Sequence, residues 1–411
     1  MRTFAQAEAR RQAAERQLAG WGRRSCRAGL AGESMAAGAD QLLQAFAKPH
    51  PRAYAVAMPT TPRPTRVTVR EVAERAGVHA GTVSRALNPS RRHLLSGETV
   101  ERVERAAQEL GYRANRLASG LRSARSFSVG VLIPDLTNPF FPPMVRGIED
   151  RLLARGYTAL LANTESELER ERRSVAALAA RQVDGFIFAP SPPAGALVRE
   201  LIADGTPLVL VNRRVDVVAA FAVTPDDRRG AALAVAHLVA RGHRRIAHLG
   251  GPQALSPALD RREGLLAALA ASDIALDPRL EAFAESFTEG AGVAPTHALL
   301  AAVSGSPGDR FTAVVAANDL LAVDCIDTLR GAGLECPRDV SVVGFNDMPF
   351  AERIRPPLTT VRNSPYEIGR QAAGLLLEQI EEPGASPRTV VLSPLLVERG
   401  STADVPRSDR R

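Results

Sequence analysis

After Arg125 the chain settles into short apolar runs separated by polar-faced segments of helical period. Phe127–Pro134 (FSVGVLIP), Thr158–Ala162, Val183–Ala189 (VDGFIFA) and Pro207–Val211 (PLVLV) read as buried strands. Ile246–Leu249, Ala282–Phe287, Ala313–Ala317 and Val340–Phe345 read the same way further along. Between them, Pro143–Arg155, Glu167–Arg181, Arg228–Arg241 and Asp319–Arg330 carry apolar residues at helical spacing. Continuous apolar strands alternating with helices predict parallel sheets covered on both faces. Two successive runs of this kind predict two similar α/β lobes. Ligands bind beyond the carboxyl ends of such strands, so two facing lobes form a cleft.

Residues 67–125 have a different pattern. Thr68 and Glu71 stand at capping-box spacing, and Val69, Val72, Ala73 and Ala76 mark one side of a short helix. Gly77 breaks it, and Val78, Val83, Ala86 and Leu87 resume an apolar register that leaves Thr82, Ser84 and Arg85 outward. A third helix starts at Ser96, buries Val100, Val103, Ala107 and Leu110, and stops at Gly111. Two short helices joined by a tight turn form the arrangement that sets a helix into a DNA major groove.

Charge sharpens that picture. The whole chain carries +7, shared unevenly between a basic N-terminal end and a mildly acidic body. Lysine and arginine neutralise phosphates and release counterions, so a polyanion would bind at the basic end. Residues 1–66 form an Arg-rich extension punctuated by Gly, Pro and Ser, with one modest helical stretch at Ala5–Leu18. It reads as disordered, or as sequence preceding a true start at Met35 or Met58. At 411 residues the chain exceeds one ordinary domain. Cys26, Cys325 and Cys336 are too scattered for a disulfide framework or zinc cluster, which favours a reducing cytoplasm. No apolar run spans a bilayer and no secretory signal opens the chain, so neither membrane nor export is expected.

Several motifs, in this order, make the chain similar to the lactose-repressor/galactose-repressor family of bacterial transcription regulators. They are VTVREVAERAGV (Val67–Val78), TVSRALN (Thr82–Asn88), ELGYRANRLASGLR (Glu109–Arg122) and NPFF (Asn138–Phe141). RQVDG (Arg181–Gly185), RGHRRIA (Arg241–Ala247), AND (Ala317–Asp319), DVSVVGFND (Asp339–Asp347) and PPLTTV (Pro356–Val361) follow. The resemblance implies a helix-turn-helix headpiece with a hinge helix (67–125), then a two-lobed α/β body like periplasmic binding proteins (126–411). It also implies a homodimer or higher oligomer on a near-palindromic double-stranded operator, with a small sugar-like effector in the cleft.

For the operator the resemblance singles out Thr68, Thr82, Ser84 and Arg85, then Tyr112, Asn115 and Arg116 as backbone and hinge contacts. Leu121, with Ala118 beside it at helical spacing, would wedge into the minor groove and bend the duplex. Arginine can fork onto guanine, but Ala80 and Gly81 leave little else for direct readout. His79 stands where a serine cap is usual. For the effector the resemblance implies Phe140, Phe141, Asn212 and Arg213 from the first lobe. From the second it implies Arg261, Phe287 as an aromatic wall, and Asp319 as a carboxylate acceptor.

No cofactor or metal is expected, and an enzyme is not. The chain has no phosphate-cradling Gly-rich loop, no GxSxG and no HExxH. His243 and His248 read as strand-flanking structure, and the acidic run Asn163–Glu171 as a solvated patch opening a helix. The rival reading is a solute-binding protein of similar two-lobed fold, which would need an export signal and no headpiece. An architectural DNA-binding protein would leave the long body unexplained.

Overall fold

The computed structural model describes residues 67–87, 91–112, 125–215, 219–303 and 310–405. They fall into two compact units divided between Arg113 and Ala114.

The first unit is helical. Helices α1 (Val69–Ala76), α2 (Ala80–Ala86) and α3 (Gly97–Glu109), with a 3-10 turn at Arg92–Leu94, enclose a small core of valine and alanine. Thr68 and Glu71 close the expected capping box, satisfying amides that the first turn of α1 cannot pair internally. Gly77 ends that helix in the left-handed region at φ 64°, where a side chain would be strained. Its reversal is what lets Val83 fold back against Val72 and Val103 in one cluster.

The second unit holds two six-stranded sheets. In the first lobe the strands are β1 (Ser128–Ile133), β2 (Thr158–Asn163), β3 (Phe186–Phe188), β4 (Leu208–Val211), β5 (Phe221–Pro225) and β11 (Thr389–Leu392). Their order is β11-β5-β4-β3-β1-β2, every pair parallel. One face is covered by α4 (Phe141–Leu153) and α11 (Pro365–Glu381), the other by α5 (Leu168–Ala179) and α6 (Gly195–Ala203).

The second lobe repeats this order with β6 (Ile246–Gly250), β7 (Glu281–Phe283), β8 (Ala313–Ala316), β9 (Ser341–Asn346), β10 (Thr359–Arg362) and β12 (Leu395–Val397). The sequence β12-β10-β9-β8-β6-β7 is parallel except at its β10–β12 edge. Helices α7 (Asp227–Ala240) and α8 (Ser256–Ala270) cover one face, with α9 (Val293–Ala302) and α10 (Asp319–Gly331) on the other.

The chain crosses between lobes after β5, after β10 and after β11. Each lobe is therefore finished by a strand or helix from far along the sequence. Glycine makes the closest helix crossing possible. A Cβ on Gly147 of α4 would lie 2.0 Å from the Tyr366 carbonyl, and one on Gly369 of α11 would lie 2.0 Å from that of Met144.

Three expectations change. Thr158–Ala162, expected as a buried strand, is a partly exposed strand at the edge of its sheet. The run Ala282–Phe287 is a strand only to Phe283, and Phe287 lies beyond it, because its carbonyl is drawn off by Asn138 and Asn318. Strands β5, β10, β11 and β12 complete the sheets without standing out in the alternating pattern, since all four flank the crossings.

Candidate functional site

Two sites can be built from the residues upward. In the headpiece, Arg85 is exposed on α2 and has no partner among the described residues, while Thr82 and Ser84 are half-buried beside it. His79 caps α2 through Nδ1, which accepts from the Gly81 amide at 3.1 Å. A ring nitrogen thus does the work of a serine hydroxyl. The Thr68 hydroxyl is committed to its cap, donating to Glu71 Oε2 at 2.8 Å and accepting from the Glu71 amide. Tyr112 packs against the headpiece core, its amide closing α3 onto the Ala107 carbonyl. Asn115, Arg116, Ala118 and Leu121 lie outside the described residues.

The second site lies at the strand carboxyl ends of the body. In the first lobe, β4 runs out into Asn212, held at φ 60°, and Arg213. The Asn212 amide nitrogen pairs with the Val223 carbonyl, but its side-chain oxygen is buried with no hydrogen-bond partner. Arg213 is 8% exposed and donates from one terminal nitrogen only, to Ser166 Oγ and the Pro190 carbonyl, both at 3.2 Å. No carboxylate forms an ion pair with it among the described residues, and burial lowers its pKa to about 10 against the opposing charge of Glu171. Glu171 is itself spent on the Ser191 amide and hydroxyl at 2.7 and 2.6 Å, burial raising its pKa. Phe140 and Phe141 are nearly fully buried in the first-lobe core, in an edge-to-face pair 5.5 Å apart.

The second lobe presents Arg261 in the opposite state. Its Nε donates to Asp227 at 2.8 Å, one terminal nitrogen to the Ala317 carbonyl at 2.5 Å, and the other to Asn346 Oδ1 at 3.5 Å. The guanidinium lies 4.0 Å from the centroid of the Phe345 ring and 5.7 Å from that of Phe287. Asp227 is pushed up to about 6 by burial, with Arg261 pulling the other way. The Phe287 ring rests on Gly251, where any Cβ would collide with it at 2.3 Å.

Asp319, expected as a ligand acceptor, is fully buried and already bonded. Its oxygens accept from the Thr360 hydroxyl at 2.5 Å and the Met348 amide at 2.6 Å, and burial pushes its pKa up to about 7. The helix it opens is capped by its neighbour Asn318. His243 precedes β6 and bonds to Thr312 and Ala403, whereas His248, expected to flank the strand, is buried within it and bonds to Glu281.

Bonds between the lobes bring these ends together. Asn138 from the first lobe donates to the Phe287 carbonyl of the second at 3.3 Å, and Asn318 donates to the same oxygen at 3.1 Å. Arg214, next to Arg213, binds Ser256 Oγ through its amide and Asp260, next to Arg261, through its guanidinium. Sequence reasoning missed four buried asparagines here: Asn138, Asn318, Asn346 and Asn363. Asn363 Nδ2 donates to Asn346 Oδ1 at 3.2 Å, leaving the Asn363 side-chain oxygen buried and unpartnered. The available signal was an asparagine at or just past the carboxyl end of a buried strand, as in AND and FND.

A helical DNA-reading headpiece followed by a two-lobed body with polar strand ends facing each other defines a ligand-gated DNA-binding protein. Residues 68–115 match the family of bacterial regulatory proteins of the lacI type, and residues 235–402 match the periplasmic binding protein-like domain. The ribose operon repressor of Halalkalibacterium halodurans is 34% identical over 317 residues, 77% of this chain and 91% of that one. The lac repressor dimer solved with operator and the anti-inducer ONPF superposes with a TM-score of 0.72 at 29% identity, covering 82% of this chain and 99% of that one. A lacI-family regulator from Enterococcus faecium, solved with bound ribose, is 33% identical and covers 68% of this chain and all of that one, with a TM-score of 0.60. The chain belongs to the lacI family of bacterial regulatory proteins. It is a ligand-responsive, DNA-binding transcriptional repressor, neither an enzyme nor a free-standing solute-binding protein. No helix among the described residues is long and apolar enough to cross a membrane.

Proposed function

We propose that the interlobe cleft takes a small neutral polyhydroxylated effector, with ribose the first candidate, and that its occupancy sets the grip of a homodimer on a near-palindromic operator. One observation carries the ligand class. The buried amide oxygens of Asn212 and Asn363 accept nothing, while the unused edge of Arg213 has only donors to offer. A vicinal diol supplies hydroxyl donors to the former and oxygen acceptors to the latter, and buried polar groups are rarely left unmatched. The ribose repressor relative and the ribose-bound neighbour support the choice of sugar.

Arg213, Asn212, Arg261, Asn346 and Asn363 form the polar contacts in this reading. Phe287 stacks on the sugar face, and Phe140 and Phe141 close the apolar wall. Asp319 supports the site from behind. On DNA, Arg85 reads a base edge from the major groove with Thr82 and Ser84 beside it. Thr68, Tyr112, Asn115 and Arg116 hold the backbone, and Leu121 beside Ala118 enters the minor groove. The protein acts in the cytoplasm, where its DNA is, and residues 1–57 add only non-specific affinity.

The test is direct. Duplexes selected from a random pool by the full chain are titrated by fluorescence anisotropy with and without D-ribose, and ribose binding is measured by calorimetry. Ribose binding with a shift in operator affinity of about 5- to 150-fold is expected. A cleft that binds neither ribose nor any other neutral sugar would overturn the ligand assignment.

A further inference from the structure

Met348 belongs to the second lobe by sequence and to the first by packing. It follows β9, yet its side chain is 3% exposed within the core cluster that contains Phe140, Phe141 and Met144. Leu320 of α10 and Phe350 pack against that same first-lobe cluster. Three residues past Met348, Ala351 and then Ile354 are back in the core of the second lobe. The segment 346–351 is therefore a plug carried by one lobe and seated in the other.

Its near end is rigidly held. Asn346 and Asp347 lie at φ 107° and 54°, two successive left-handed positions without glycine. Such a backbone persists only where its surroundings over-determine it. Asn346 Oδ1 accepts from Asn363 and Arg261, and Asp347 is clamped by Arg362 and Arg399, each at 2.6 Å. The Met348 amide donates to buried Asp319, whose other oxygen holds Thr360. There is no slack behind Asp319, since a Cβ on Gly344 would lie 2.3 Å from its Oδ1. The residue facing the cleft and the residue buried in the opposite lobe are thus separated by a single, doubly clamped position.

We propose that Met348 is the positioning residue that transmits occupancy of the cleft from the second lobe to the first, with Asp319 as the latch that fixes its backbone. The inference rests on the reading of the cleft as an effector site. A ligand that draws on Asn346 or Arg261 shifts 346–348 as one piece. A close-packed core does not deform smoothly, so the seated methionine carries that shift to Phe140, Phe141 and the start of α4.

The experiment has two arms on the full-length chain. In the first, Met348→Ala is compared with wild type for D-ribose binding and for ribose-dependent release of a selected duplex. Ribose affinity should stay within about threefold, while the change in DNA affinity falls below about twofold. A variant that responds as wild type does overturns the proposal. The second arm needs no ligand and reads hydrogen exchange of the α4 amides. Asp319→Ala, a change in the second lobe, should speed exchange in α4 by roughly tenfold or more, and should add nothing in a Met348→Ala background. Asp319→Asn should leave α4 protected, because an amide can accept from Met348 and donate to Thr360. A latch that served the second lobe alone would leave α4 untouched or give additive effects, and either result overturns the proposal. If wild type binds no ribose, the ligand reading fails while the second arm still decides the transmission.

Discussion

The two lobes share a strand order but leave their arginines in opposite states. Arg261 of the second lobe is saturated by Asp227, the Ala317 carbonyl, Asn346 and the Phe345 ring. Arg213 of the first lobe uses one nitrogen and has no carboxylate partner among the described residues, and Asn212 before it holds an unpartnered oxygen. A buried charge already paired contributes to fold integrity, and one left open is available to a ligand. The second-lobe arginine is already matched by the protein, and the first-lobe arginine is the one that a ligand completes.

The largest effect expected from this difference is at Arg261. Arg261→Ala strands Asp227 in the interior and should cost roughly 3–5 kcal/mol of stability, as breaking a buried pair does. Urea unfolding would show it, and Arg213→Ala measured alongside should cost far less while weakening ribose binding by about tenfold or more. Equal stability losses in the two variants would erase the contrast between lobes.

The pH dependence comes next. Asp319 and Asp227 are raised by burial to about 7 and about 6, from ordinary values near 3.8. A carboxyl group whose folded pKa is raised favours folding while it is protonated. Its contribution is complete below the unfolded pKa and is lost as pH rises through the folded one, here between about pH 4 and pH 7. Asp319→Asn stays neutral and should gain on wild type as pH rises across that window, read as a difference in thermal midpoints at pH 5 and pH 8. A pH-independent difference would show that the carboxyl group is not titrating in the folded state.

A smaller effect separates the asparagines. Asn318 caps α10 and holds the Phe287 carbonyl, so Asn318→Ala should cost about 1–2 kcal/mol. Asn212 caps nothing and sits in the left-handed region. Asn212→Gly should be neutral or stabilising by a few tenths of a kcal/mol while weakening ribose binding. Denaturant midpoints for both variants measure this, and a matching loss at Asn212 would place its side chain in the fold rather than in the site.

How far the sequence reached depends on the range of the interactions concerned. The headpiece was legible almost residue by residue. A capping box, a glycine break and a short apolar register are local signals, and Thr68, Gly77, Val83 and Val103 do in the structure what their spacing implies. The parallel lobes were legible because a strand buried on both faces must be continuously apolar, as Val129–Ile133, β4, β8 and Val342–Phe345 are. Phe287 and Arg261 were singled out through the resemblance, but nothing near them in sequence showed that Asp227 would pair with Arg261 from 34 residues away. Asp319 has the look of a ligand carboxylate until Thr360 and Met348 are seen to occupy it.

By itself, then, the sequence determined the class of most elements, the order of the parts and the family to which they belong, since all of these rest on periodicity and motif. Only the tertiary structure decided which polar side chains remain open. That depends on whether a partner arrives from another strand end, and partners such as Asp227, Asn363 and Met348 are delivered by chain crossings whose geometry no local pattern encodes. Burial then makes each pairing consequential, because a polar group cut off from water must be matched by the protein or by what the protein binds.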